Sequence, residues 1–493
     1  MSSVDTSAAP VARTRRGGSG FWTVAFAFLI VMAFATLPSP LYGLYRTRDH
    51  LSAFTITIVF AIFAAGTTLT VWWNQGFYAA EDQAFHNLVA AWEKASGNTI
   101  DLTLLPGQPL NEKIVSAFTS GQVPDLMYAD NAPAQIIPQT AWDGKLLDVT
   151  DVVETQKAEL SATALQSAQF YNNVEKKRSY YGVPFKGATL NIPTWKSLIE
   201  KAGYTVSDMP KTWDPFFAFF EDVQKKLRAK GMRHTYGLGY TLSTTGDDPN
   251  NTFVQFLVGH GGGGIVTPDG KLHVDDPKVR AAMVKTLTQL ASAFKAGYVP
   301  PDALNWGDPD NNNAFHSQEV VMTPNDTISI SSAVMSNKQW YYDDIITSPI
   351  PLDNDGKPVP VLLGVLLAFI PKGSKNVDAA KDFIRYLIQP EHLDLYLKEA
   401  LGRWLPVMPN MVKNDPYWLD PKDPHRSAAV RQGVIGPTAT WYYVFNPAFA
   451  QVDAEHVWSV ATSDVINGMT PDQATTKAFE RITAIFSKYQ TTS

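Results

Sequence analysis

Tyr180-Tyr-Gly-Val-Pro-Phe-Lys-Gly-Ala-Thr-Leu190 is the stretch around which the rest of the chain is arranged. A series of alternating strand-like and helix-like segments precedes it, and a second series of the same kind follows. Gly182 and Pro184 punctuate an aromatic, β-prone segment, which suits a strand that leaves one packed body and enters another. Taken alone, the stretch also reads as an ordinary strand–turn–helix. Asn191-Ile-Pro-Thr-Trp195 comes next, then an apolar-periodic helix with Leu198, Ile199 and Ala202, stopped by Gly203. Pro210-Lys-Thr-Trp-Asp214 opens another helix, with Asp214 expected at the N-cap and Pro215 at N1.

Upstream, Thr67-Thr-Leu-Thr-Val-Trp-Trp73 is a β-rich run ending in Asn74-Gln-Gly76. A long amphipathic helix follows, with Phe85, Leu88, Val89 and Trp92 on one face and Gly97 as its stop. Residues 99–105 alternate as a second strand. Asn111 is expected to cap a helix carrying Ile114, Val115 and Phe118, ended by Gly121. Pro124–Tyr128 is a third strand, with Asp130 and Asn131 past its carboxyl end. Such alternation predicts an α/β fold with a largely parallel sheet and ligands at the strand C-termini.

Composition narrows the function. The 493 residues can hold several domains and a large core. A net charge of −6 and the absence of a long basic run argue against a nucleic-acid surface. Zero cysteines rule out disulfides, thiolate zinc sites and cysteine nucleophiles. With 13 Trp and 19 Tyr, the chain has stacking residues to spare for a polar ligand.

Residues 1–20 read as a disordered basic tail and 21–66 as a membrane or signal segment. Phe21–Leu37 carries no charge, Arg46-Thr-Arg-Asp-His50 interrupts, and Leu51–Gly66 is again charge-free. A span needs about 20 apolar residues, so one or two N-terminal hydrophobic helices are expected, with the basic end inside. Arg46–Gly66 equally reads as a signal peptide with a cleavage site at Ala64-Ala-Gly66. Leu37–Arg46 with Phe54–Phe60 resembles the first helices of major facilitator superfamily permeases. The later transporter helices have no counterpart, so a transport pore is not expected. A non-native fusion of a permease fragment with the rest remains a further alternative.

Downstream the resemblance is specific. Trp72-Trp-Asn74, Gly121–Leu126, Tyr181-Gly-Val-Pro184, Pro210–Asp214, Phe315–Met322, Ala368–Ser374, Gly402–Pro406 and Val465–Pro471 follow one another as in family 1 extracellular solute-binding proteins of ABC importers, as in maltose-binding protein. The resemblance covers about residues 67–490. It implies a two-lobed periplasmic-binding-protein fold (type II), with lobe one at 67–183 plus 324–370 and lobe two at 184–323 plus 371–493. Crossings near 180–186, 321–326 and 369–376 would form the hinge.

The same resemblance implies a carbohydrate-like solute in an interlobe cleft, an ABC permease as partner, an extracytoplasmic location, a monomer, no enzyme activity and no cofactor. A sugar site needs flat apolar area for pyranose C–H faces and fixed polar groups for hydroxyls. Candidates are Trp73, Asn74, Gln75, Asp130, Asn131, Lys186, Trp306, Asp308, Asn325, Asp326, Gly364, Arg403, Trp441 and Tyr442, with Trp404 and Tyr443 beside them. Each also has a structural reading: Trp73 as core, Asp130 and Asn131 as a turn, Lys186 as a surface lysine. Gly364 stands alone where the family often has two glycines.

The rival class is a glycan-active enzyme, for which Asp130 and Asp326 are the candidate carboxylates, both with amide neighbours in the sequence. Gly261–Gly264 lacks the Gly-Lys-Ser/Thr of a phosphate loop and is expected to end a helix at Phe253–Val258 and enter a hairpin at Val266–Val274. Asp308–Asn312 lacks the glycine and glutamate of a calcium loop. No zinc-type histidine pair occurs, so no metal is expected.

Overall fold

The computed structural model describes residues 66–489, so the tail and all of the hydrophobic segment before Gly66 lie outside the described residues. Among the described residues no helix is long and apolar enough to cross a membrane. Two compact units are distinguished. The smaller, as far as described, comprises 66–68 and 93–99; its Thr67 amide donates to Asn98 Oδ1 (2.8 Å) and its Thr99 amide to the Thr67 carbonyl (2.9 Å). The larger runs from Leu69 to Trp92 and from Ile100 onward, and carries the elements below apart from Thr68, residues 93–96 and Thr99.

The first sheet has the order β2-β1-β3, built from β1 (Thr68–Asn74), β2 (Thr99–Leu105) and β3 (Leu126–Tyr128). Strands β1 and β3 run parallel, with Val71 opposite Leu126 and Trp73 opposite Tyr128. Alternate residues of β1 (Leu69, Val71, Trp73) are buried, the period-2 signature of a strand on a core. The helix Ala79–Ser96 presses Phe85, Leu88, Val89 and Trp92 against it, the spacing expected of one helical face.

After the hairpin β4 (Gln169–Asn172) and β5 (Lys177–Tyr180), the chain enters β6 (Val183–Ala188) and then β7 (Ile192–Trp195). These two strands belong to different sheets. With β8 (Tyr236–Leu238), β9 (Val320–Met322) and β10 (Ile345–Ser348), β7 forms a sheet of order β10-β7-β9-β8. Strand β6 instead pairs antiparallel with β11 (Val361–Ala368), which also takes β12 (Thr438–Thr440) in parallel. An antiparallel bridge from Phe369 to Met127 links the end of β11 to the first sheet. The Tyr180–Leu190 stretch therefore holds β6 and the link that leads the chain from the β12-β11-β6 sheet to the sheet of β7.

Several sequence expectations are corrected here. The helix after Pro210 spans Trp213–Ala229 with Thr212 at its N-cap; Asp214 lies in the first turn and exchanges hydrogen bonds with Asn354 (2.8 and 3.0 Å). The helix assigned to Asn111 starts earlier, at Gly107, leaving Asn111 buried and donating to Gln135 Oε1 (3.0 Å). The helix expected at Phe253–Val258 begins six residues sooner, at Asp247, and the hairpin after it is reduced to a single Val266–Leu272 bridge. Ile345–Ser348, expected in lobe one, is a strand beside β7. Val377–Leu387, expected in lobe two, packs by the first sheet: Trp92 Nε1 donates to Asp382 (3.0 Å) and Phe383 contacts Phe85 edge-on.

Asp125 ties these segments together. Its side chain accepts from the Thr70 amide and hydroxyl (3.0 Å each), the Ser374 hydroxyl (3.0 Å), the Lys375 and Asn376 amides (2.9 and 3.0 Å) and Asn376 Nδ2 (3.0 Å). Burial alone would raise this carboxyl; the hydrogen bonds from Thr70, Asn376 and Ser374 outweigh it and hold it at about 2. Asp125→Ala strands these donors and is expected to cost about 3 kcal/mol or more in urea melts. The stabilisation from Asp125 is present above the ordinary carboxyl range and is lost as pH falls from about 4 toward 2. A variant as stable as the parent at pH 7 would show that the joint is not needed.

Candidate functional site

A cavity of about 660 Å³ opens between the first-sheet side and the second-sheet side of the larger unit. Asp130 and Asn131 reach it from the end of β3, and Gln135 from the short helix Ala132–Gln135. Asp247, Asn250 and Asn251 face it from the first turn of the helix Asp247–Gly259, joined by Asp308 and Asp326. Leu362, Gly364 and Leu366 of β11 line it, with Thr189 just after β6. Its aromatic wall is Trp404, Trp441 and Tyr443; the last two lie nearly parallel, with centroids 5.9 Å apart. A void of this size lined by rings together with amides and carboxylates is the form of a polar-ligand site.

Of the fourteen residues proposed from sequence, Asp130, Asn131, Asp308, Asp326, Gly364, Arg403 and Trp441 line this cavity. Asn74 stands behind it: its Nδ2 donates to Asp130 Oδ2 (3.3 Å) and its Oδ1 accepts from the Asp130 amide (3.3 Å), while the Tyr128 hydroxyl donates to Asp130 Oδ1. Gln75 is exposed and borders only a small void that it shares with Asn74 and Lys186. Four of the remaining five, Trp73, Trp306, Asn325 and Tyr442, belong to the core. Trp73 stacks on Phe85 at 4.1 Å, and Trp306 is buried away from the cavity. Asn325 donates to the Thr327 carbonyl (2.8 Å) and Ser329 Oγ (3.1 Å), and Tyr442 donates to the Gly263 carbonyl (3.0 Å).

Lys186 is neither a surface lysine nor a cavity-lining group. It is 3 % exposed, with its ammonium over the rings of Trp404 (4.2 Å) and Tyr128 (4.5 Å). Burial brings its pKa down to about 8, against the pull of Asp130 and Glu81. Arg403 is likewise occupied: it bonds Glu81 at 2.9 Å in a buried pair, and Trp404 Nε1 also donates to Glu81 (3.2 Å). This pair holds Trp404 against the cavity rather than offering a free cation to it.

Sequence reasoning missed the second-sheet wall. Asp247, Asn250, Asn251 and Gln255, with Asp453 and His456, all line the cavity. The run Gly246-Asp-Asp-Pro-Asn-Asn251 was the available signal, since two Asp before a Pro mark a helix N-terminus. Asp308 completes that terminus by accepting from the Asp247 and Asp248 amides (2.8 and 3.2 Å). Gln135 Nε2 (3.2 Å) and Asn131 Nδ2 (3.1 Å) both donate to Asp247 Oδ2, so side chains from the two sides meet.

These carboxylates crowd one another. Burial, then repulsion from Asp326, Asp308 and Asp247, lifts the Asp248 carboxyl well above the usual range. Burial pushes Asp326 up to about 7, with Asp308 and Asp247 adding to it and an amide hydrogen bond from Asn251 opposing. Asp247 and Asp453 are raised by burial too, helped by Asp308 and Asp247 respectively. The environment of Asp326 is thus not set by amides alone, as its sequence neighbours suggest. Raised carboxyls bind protons more tightly in the folded chain, so the stability they allow is complete below about pH 4 and is lost as pH rises through about 7. The ligand-free protein is therefore expected to melt at a lower temperature at pH 8 than at pH 5, and Asp326→Asn to flatten that slope. A melting temperature that climbs across the window would contradict it.

Residues 87–426 match the family model described as bacterial extracellular solute-binding protein. The diacetylchitobiose-binding protein DasA of Streptomyces coelicolor is 24 % identical over 338 residues, covering 66 % of this chain and 71 % of that protein. The solute-binding protein of a Thermotoga lettingae ABC transporter, solved with α-D-tagatose, superposes with a TM-score of 0.65 at 22 % identity over 85 % of this chain and 100 % of that one. Maltose-bound MalE3 of T. maritima gives 0.66 at 18 % identity, with 85 % and 100 % covered. The fold is accordingly that of the two-lobed periplasmic binding proteins, and a model matched over more than half of its length makes this chain a member of the bacterial extracellular solute-binding family.

Proposed function

We propose that the chain is the substrate-binding component of an ABC importer and takes a carbohydrate in the cavity between its two sides. The observation that carries this reading is a cavity lined both by the parallel pair Trp441–Tyr443, with Trp404, and by several carboxylates and amides. Rings offer flat apolar area to pyranose faces, and the polar wall offers acceptors to hydroxyls. The sugars bound by DasA and the Thermotoga proteins are consistent with it. In this reading one lobe is built on β1–β3 with Val377–Leu387, the other on β7–β10, and connectors near 189–191, 323–326 and 349–360 let them close. Closure satisfies rings and hydroxyl partners together, so the ligand shifts an open–closed equilibrium by its differential affinity, and no bond is made or broken.

The family is extracellular, which implies an extracytoplasmic site of action. We assign residues 21–66 the part of a signal cleaved before Thr67 or of one retained span, and take the working protein as a monomer docking on permease subunits. N-terminal sequencing of the native protein with protease accessibility on intact cells tests this; a full-length product shielded from external protease would refute the importer role.

A panel of mono- and oligosaccharides is expected to include at least one that raises the melting temperature and changes Trp fluorescence, since a ligand bound only by the folded state must stabilise it. Trp441→Ala should weaken that sugar by about 1–3 kcal/mol while leaving the fold intact. A variant that loses stability but keeps its affinity would return Trp441 to the core. If no sugar in the panel moves either signal, the carbohydrate assignment fails.

A further inference from the structure

Resting on the carbohydrate reading, we infer that Lys186 is a positioning residue: its ammonium, set behind the cavity lining, holds the Trp404 ring and the Asp130 carboxylate where they meet a solute. Three observations lead there. First, Lys186 stands on β6, paired with Leu366 of β11, and is buried. It borders a void of about 10 Å³ with Asn74, Glu81, Asp130 and Tyr396, outside the lining of the main cavity. It therefore acts on a solute only through its neighbours.

Second, those neighbours do line the cavity. The ammonium lies 4.2 Å from the centroid of Trp404 and 4.5 Å from that of Tyr128. Trp404 and Asp130 both border the cavity, and Asp130 borders the small void as well. Trp404 has two further tethers, the Arg403 guanidinium over its ring (4.4 Å) and the bond from its Nε1 to Glu81 (3.2 Å). The hydrogen bonds from side chains to the Asp130 carboxylate come from neutral donors, the Tyr128 hydroxyl and the Asn74 amide. Lys186 adds a charge that both the ring and the carboxylate feel.

Third, that charge is costly where it sits. Among the described residues no carboxylate forms an ion pair with the ammonium; Asp130 and Glu81 act on it from further away. A buried cation without a close counter-ion is unfavourable, and an apolar side chain of similar length would fill the site at lower cost. What the charge supplies is attraction toward a ring face and a carboxylate, which is strong where water is excluded.

The charge is also what pH removes. Burial brings Lys186 down to about 8, against the pull of Asp130 and Glu81. Around it stand Tyr128 and Asp130 at the end of β3, Glu81 and Asp82 of the helix Ala79–Ser96, Tyr396 of the helix Pro390–Glu399, and Arg403. Burial raises both tyrosine hydroxyls, so they stay neutral. Burial would lower Arg403, but Glu81 and Asp130 outweigh it and the guanidinium stays charged. The hold on Trp404 and Asp130 is therefore complete well below pH 8 and is lost as pH rises through about 8.

Fluorine NMR of the whole protein carrying 5-fluorotryptophan tests the inference, with the Trp404 resonance identified as the one missing from Trp404→Phe. In the parent that resonance is expected to shift between pH 6 and pH 9 with a midpoint near 8, and in Lys186→Met to stay still. Isothermal titration with maltose and with di-N-acetylchitobiose gives the second readout. The sugar that binds should bind Lys186→Met about tenfold more weakly at pH 7, and the two proteins should converge toward pH 9 as the parent loses its charge. Titration of Asp326 is common to both proteins and cancels in the comparison. A Trp404 resonance that does not move, or a folded Lys186→Met that matches the parent at pH 7, would overturn the inference and leave the carbohydrate reading standing. If Lys186→Met does not fold, the resonance and the parent's own loss of affinity between pH 7 and pH 9 decide. If neither sugar nor any other of the panel binds, the carbohydrate reading fails and the inference with it.

Discussion

The structure depends on one backbone joint. Strand β6 runs antiparallel to β11 with Gly364 opposite Ala188 and Val365 opposite Gly187, and three residues later the Asn191 amide donates to Asn325 (2.7 Å) while the Asn325 amide returns the bond (2.8 Å). Within that short run the chain changes sheet. Because the same residues also bridge Leu405 through Gly187, three distant segments are fixed by amides rather than by side chains. The lining residues Thr189 and Gly364 sit on this joint, and Asp326 and Trp404 directly beside it. The geometry of the cleft is therefore set mainly by backbone hydrogen bonds, and side-chain chemistry is free to vary around it.

That division explains what could be read in advance. The strand–helix alternation before residue 130 carries period-2 and period-3.6 patterns strong enough to name each element, and β1 and the helix Ala79–Ser96 stand where those patterns put them. Residues at strand ends or in loops, such as Asp130 and Asp308, were legible because topology places such positions at the cleft, whereas Gly364, inside β11, was named only through the family resemblance. Trp73 shows the limit. It ends β1 as expected, but whether an indole faces ligand or core depends on the next helix, and Phe85 takes its face. Lys186 misled for the same reason: its burial comes from Tyr128 and Trp404, which lie far apart in sequence. Ile345–Ser348 and the helix Val377–Leu387 find their neighbours through distant partners, Trp195 and Trp92, that no local pattern names.

The acidic wall illustrates a trade between binding and folding. Like charges held together in a buried site destabilise the chain that carries them, and the raised carboxyls are the sign of it. The helix N-terminus at Asp247 and the amides of Asn131, Gln135 and Asn251 offset part of that cost. Asp125, by contrast, has its charge fully solvated by protein donors. A lone carboxylate ringed by donors and a crowd of carboxylates thus sit at opposite ends of the same scale, the first stabilising the frame and the second costing the fold.

The bonds from Asn131 and Gln135 to Asp247 bear on time rather than on affinity. They join the first-sheet side to the second-sheet side beside the cavity, so separating the two sides has to break them. An incoming solute that reaches the interior has to wait for, or force, the breaking of those contacts. Were the two sides to part for a solute, the rates of entry and exit would both carry the cost of breaking these bonds. Weakening them would speed both entry and exit, changing how long each molecule is carried more than how many are held.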